Sequence, residues 1–173
     1  MAFFDEETGL RYLQVGYEEA YAEKPKIGFL RMGLAFLKVR GLQMEMNARH
    51  AKKESLLELF QKVVRKRGVR YAVAEPIALT ITTPDGESIK VSGDKGKFTP
   101  SGSLQVWGKV ELVRGETHSR LANLSLSTDP NSNALILSLD KGAETMSIPL
   151  HNQDSPLQAS NETLTKSNSS NEP

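Results

Sequence analysis

The 173-residue chain contains no cysteine. That excludes a disulfide framework, a thiolate metal site and a cysteine nucleophile. Its three histidines, His50, His118 and His151, are scattered, and none lies at ligand spacing from another histidine or a carboxylate pair. No stretch reaches the roughly 18 consecutive apolar residues of a membrane-spanning helix. The opening MAFFDEETGLRY turns acidic at once, so it lacks the basic start and apolar stretch of a signal peptide. The Asn-x-Ser/Thr triplets at Asn123, Asn161 and Asn168 carry meaning only in a secreted chain. Apolar residues make up 38% of the chain, on the low side for a globular protein, and a polar tail accounts for the deficit.

Charge is present in quantity but unevenly spread. The overall balance of 22 basic and 21 acidic residues gives a net of +1. Residues 1–25 hold two basic and six acidic residues, residues 26–70 twelve and three, and residues 71–173 eight and twelve. The central quarter therefore carries a net +9 between two flanks of −4 each. Such a segment suits an anionic partner, whether nucleic acid, lipid head groups or an acidic protein patch. The plainer alternative is a solvated surface balanced by acidic residues elsewhere in the fold.

Periodicity divides the chain into three parts. Residues 1–25 are acidic and dotted with Phe3, Phe4, Tyr12, Tyr17 and Tyr21, an arm that is loose or docked by its aromatics. Residues 26–150 form the core domain. Within it, Leu37 and Val39 on one parity and Leu42, Met44 and Met46 on the other predict a strand over about 34–46. Gly41 sits between the two sets, where a bulge would switch faces. Residues 51–67 place Leu56, Leu57, Phe60, Val63 and Val64 at three- and four-residue steps, which predicts an amphipathic helix ending at Gly68. Alternation resumes at Ile77, Leu79 and Ile81, again at Ile89 and Val91, and again from Leu104 to Leu112. It continues at Leu124 and Leu126, through Leu135, Leu137 and Leu139, and at Met146, Ile148 and Leu150. The expectation is an α+β fold: mostly antiparallel sheet, with one main helix inserted after the first long strand. Residues 151–173, rich in Ser, Asn, Gln and Thr, are expected to be a disordered tail.

No constellation points to catalysis, a cofactor or a metal, and the chain reads as a non-enzyme. His118 beside Glu116 and Ser119 reads as a surface turn. The stretch SGDKGKFTPSG offers Gly96 and Lys97, but the phosphate-loop motif needs glycine where Val91 stands and Ser or Thr where Phe98 stands. A mobile basic loop between strands is the better reading. The densest basic run is KVVRKRGVR, and Lys52, Lys53, Lys62, Arg65, Lys66, Arg67 and Arg70 are the candidate anion-binding residues, for RNA or lipid. The alternative is a helix end whose charges match the helix dipole. No aromatics interleave with the run, so base stacking is not indicated there. Phe29, Phe36 and Leu37 lie in an apolar, cation-flanked run that suits either a core strand or a membrane or self-association surface.

The order of acidic aromatic arm, long strand AFLKVRGLQMEMNAR, segment KESLLELFQKVVRKR and late strand GSLQVWGKVELVRG resembles the matrix proteins of rhabdoviruses, particularly those of plant-infecting cytorhabdoviruses, over about residues 26–142. The Pro-Pro-x-Tyr late motif of that group is absent, and the arm is acidic where many animal members have lysines. The resemblance implies a structural virion protein that self-associates, condenses the nucleocapsid and links it to the envelope during assembly and budding. Its partners would be further copies of itself, the nucleocapsid protein–RNA complex, an anionic membrane surface and the envelope glycoprotein tail, in virions and at host cytoplasm and endomembranes. The stretch PIALTITTPDGESIKVSGDKGKFTPSGSLQVWGKVEL instead resembles the hairpin rhythm of bacterial lipopolysaccharide-transport β-jellyrolls. That implies a non-catalytic β-rich scaffold or transport module.

Overall fold

Alternating apolar side chains bury themselves only if a strand finds neighbours, and nearly every alternating stretch here does so. The computed structural model describes residues 1–6, 8–24, 26–27, 30–31, 36–51, 71–99, 101–129, 131–140 and 144–150. These hold thirteen strands: β1 (Ala2–Phe4), β2 (Arg11–Gly16), β3 (Glu19–Glu23), β4 (Lys26–Ile27), β5 (Leu30–Arg31), β6 (Phe36–Asn47), β7 (Ala72–Thr82), β8 (Ser88–Gly93), β9 (Lys95–Phe98), β10 (Leu104–Arg114), β11 (Thr117–Thr128), β12 (Ala134–Leu139) and β13 (Glu144–Pro149). Eleven of them form one sheet in the order β1-β2-β6-β7-β8-β10-β11-β12-β13, with β3 also against β6 and β9 between β7 and β10; β4 and β5 pair separately.

The α+β expectation is overturned. The fold is mostly β, and no described residue lies in an α-helix. One stretch of three- and four-residue periodicity weighed too heavily against the strands on both sides of it. Of the segment 51–67 on which that helix was read, residues 52–67 lie outside the described residues, as does the tail 151–173. The arm is docked: β1 to β3 belong to the main sheet, and Tyr12 and Leu13 are buried in the core. The basic stretch read as a mobile loop is also corrected, because residues 93–98 finish β8 and form β9. Two glycines explain why composition misled. A Cβ on Gly93 would come within 2.5 Å of Val106 Cγ1, and one on Gly96 within 2.7 Å of Ile77 Cδ1. These glycines admit close packing rather than flexibility. His118, read as a turn residue, is in β11 opposite Val113.

Among the described residues, all pairings are antiparallel except β6 with β7. A parallel pair requires a long crossover, and residues 48–71 provide it. Leu13, Leu42, Ile81, Leu104, Leu124, Leu137 and Ile148, drawn from strands along the whole sheet, belong to one core cluster, so the sheet curls with its apolar face inward. Its far edge returns accordingly: Arg114 of β10 reaches Met146 of β13, with Nη1 3.9 Å from Sδ.

A transverse line of irregularities bends the strands at one level. Gly41 in β6 has φ +60°, and it lets Leu37 and Val39 before it share the buried face with Leu42, Met44 and Met46 after it, as the sequence indicates. Beside it in β7 stands Pro76, which has no N–H for the ladder. Asp94 next separates β8 from β9 and donates its N–H to Gly108 O at 2.7 Å. In β10, Gly108 (φ +76°) and Lys109 (φ +48°) oppose the single Ala122 of β11, a β-bulge. Asp140 (φ +44°) ends the line; its Oδ1 accepts from the backbone N–H groups of Ala122 and Asn123.

Candidate functional site

The side chains that alternate away from the core cover the outer face, and register lines them up across strands. One rung carries Glu19, Arg40 and Glu75, then Lys95, Trp107 and Asn123. The next carries Tyr21, Lys38, Val73, Lys97, Gln105 and Ser125. Directly opposed residues on one face stand about 4.5–5.5 Å apart at Cβ, so these rungs form continuous surface.

On β3, β6 and β7 the charges are mutually satisfied. Arg40 Nη1 lies 3.5 Å from Glu19, Lys38 Nζ lies 3.4 Å from Glu75 and 4.0 Å from Glu23, and Lys95 Nζ lies 3.4 Å from the other oxygen of Glu75. Glu75 is the hub. Partial burial pushes its carboxyl pKa upward, but the ammonium groups of Lys38 and Lys95 outweigh this and hold it below the ordinary value. The same contact raises Lys38, chiefly through Glu75. A shallow depression of about 530 Å³ opens here, lined by Tyr21, Lys38, Arg40, Glu75, Pro76 and Asp94.

Toward β9 and β10 the surface changes character. Phe36 and Tyr71 stack with ring centroids 5.3 Å apart and planes within 6°. Lys97 Nζ sits 4.7 Å above the Tyr71 ring, a cation–π contact. Trp107, the chain's one tryptophan, stands 37% exposed between Lys95 and Asn123. At the curled end of the sheet, Arg114 grips both oxygens of Glu87 at 2.9 Å, beside a depression of about 330 Å³ that Met146 and Ile148 of β13 help to line. Among the described residues, no cluster of His, Asp and Glu is placed to hold a metal ion. On this part of the outer face Glu19, Glu23 and Glu75 are engaged by lysine and arginine.

No family model, curated protein or solved structure matches this chain. The site therefore rests on geometry alone.

The residues singled out from sequence divide sharply. Lys52, Lys53, Lys62, Arg65, Lys66, Arg67, Arg70 and Phe29 lie outside the described residues. Leu37 is buried in the core, where the core-strand alternative puts it, while Phe36 is half-buried on the outer face against Tyr71. Sequence reasoning did not pick out Trp107, Tyr71 or Lys95 as site residues, and weighed Lys97 only for a phosphate-loop motif that the stretch does not meet. The alternation in LQVWGKVEL already turns Trp107 outward with Gln105, but its adjacency to Lys95 depends on pairing with a strand read as a loop.

Proposed function

We propose that the chain is a non-catalytic β-rich scaffold or transport module, of the jellyroll-like kind, that joins larger assemblies through the edges of its sheet. One observation carries this reading: a single curled sheet whose terminal strands, β1 and β3 at one end and β13 at the other, each have one neighbour among the described residues. An edge strand offers a row of backbone N–H and C=O groups to another chain. Two different edges on one molecule make a head-to-tail contact, which repeats into an open row. The absence of cysteine gives a clean test. Ala2→Cys and Ser147→Cys are made singly and mixed under mild oxidation. Disulfide-linked heterodimers should exceed the two homodimers combined, and sedimentation should show reversible, concentration-dependent growth. A chain that remains monomeric, with cross-links no more frequent than chance, removes the proposal.

A second reading keeps the matrix-protein role, and the net +9 over residues 26–70 favours it. Such a protein binds RNA or anionic membrane with an affinity that falls steeply as salt rises. Replacing Arg65, Lys66 and Arg67 together with alanine should flatten that salt dependence by a slope of roughly one per lost contact. Identical binding by wild type and variant would end this reading.

A further inference from the structure

We propose that the outer face around Trp107 is a binding site for single-stranded nucleic acid, in which a base stacks on the indole while Lys95 and Lys97 meet the phosphates. The sequence gives no hint of this, because the densest basic run contains no aromatics. The fold supplies them from elsewhere. It brings Trp107 of β10, Lys95 and Lys97 of β9, and the Phe36 and Tyr71 stack onto one surface.

Three features favour this occupant. The tryptophan is exposed on the outer face of the sheet, where a planar ring can lie against it, and stacking is tolerant of base identity. Its surroundings are cationic and polar. Lys95 and Asn123 flank it across the rung and Lys97 pairs with Gln105 on the next; of the nearby carboxylates, Glu75 is bridged to Lys38 and Lys95, and Asp94 lies beside Gly108. That combination complements an anionic backbone carrying bases with hydrogen-bonding edges. Finally, the bulge at Gly108 and Lys109 follows the indole directly, and the non-glycine Lys109 is held at φ +48°. Bulges re-aim side chains, and a non-glycine residue in the left-handed region persists only where the surroundings enforce it.

The single tryptophan makes intrinsic fluorescence a reporter of this site alone. Full-length protein is titrated with a 12-mer of uridine, with inorganic polyphosphate of matched charge and with a neutral oligosaccharide. The oligonucleotide should quench Trp107 saturably, and polyphosphate should bind with little quenching. Followed by the anisotropy of a labelled 12-mer, since these variants lack the reporter, Trp107→Ala should weaken oligonucleotide binding about tenfold and Trp107→Phe much less, because stacking survives in a smaller ring. Lys97→Ala should lower the salt slope by roughly one. Circular dichroism and melting of each variant establish that the sheet is intact. Unchanged affinity in a folded Trp107→Ala variant overturns the proposal. So does equal quenching by polyphosphate, which marks a plain electrostatic patch, and so does quenching by the oligosaccharide alone, which marks a sugar site.

Discussion

Leu13→Ala tests how firmly the first 25 residues belong to the fold. Leu13 lies in β2 opposite Met46 and is 1% exposed. Truncation to alanine removes three carbons, worth about 0.8 kcal/mol each in transfer alone. The unfilled cavity raises the cost, so the whole change falls at about 2–5 kcal/mol. Against a typical total stability of about 5–15 kcal/mol this is large. Leu10 provides the control: it belongs to the same segment but is 46% exposed, so Leu10→Ala should stay within about 0.5 kcal/mol. Urea unfolding followed by far-ultraviolet circular dichroism measures both. For a loss of about 3 kcal/mol and a slope near 2 kcal/mol/M, the midpoint falls by roughly 1.5 M. The slope itself should not change, because the same surface is exposed on unfolding. If the two variants are equally mild, β2 is not part of the core and the reasoning fails.

Gly93→Ala should cost about 1–3 kcal/mol through overpacking, because the new methyl meets the stiff Val106 side chain. Val106→Ala in the same chain should recover part of that loss, a coupling that a double-mutant cycle measures. Glu75→Gln should lower the melting temperature at neutral pH, and the gap from wild type should close in acid. The folded-state pKa of Glu75 lies below its ordinary 4.5, so its contribution is full above that value and lost as pH falls through the folded one; a gap that widens in acid contradicts the ion-pair hub. Asp140→Ala should cost about 1–2 kcal/mol, since two backbone N–H groups lose their acceptor and alanine resists φ +44°. Asp140→Asn keeps an acceptor and tolerates that conformation, so thermal melts should leave it close to wild type.

The strands from Ile77 onward were legible because each writes its own alternation, and β7, β8, β10, β11, β12 and β13 fall where that pattern lies. Gly41 was legible for the same reason, as the apolar parity reverses around it. What escaped was non-local. Residues 1–25 scatter their apolar side chains among six acidic residues without a sustained alternation, and only pairing with β6 reveals that Tyr12 and Leu13 point into a core. In β9, Gly96 fills an inward position without announcing itself as apolar, so a strand reads as a loop. The outer-face site is assembled entirely by register. Lys95 is twelve residues from Trp107 in the chain and opposite it in the sheet, and nothing local encodes that meeting.

The parallel pairing of β6 with β7 has a consequence for synthesis. Antiparallel neighbours joined by a short turn can form almost as soon as both have been made, but β6 must wait for β7, with residues 48–71 between them. At about 5–20 residues per second, that delay is a few seconds. Throughout it, the nascent chain shows a twelve-residue strand with one side unpartnered, the kind of edge that recruits another nascent chain. Once β7 arrives, the remaining strands add in sequence through largely local pairings, so the interval before it is the period in which crowded ribosomes would cross-pair this protein.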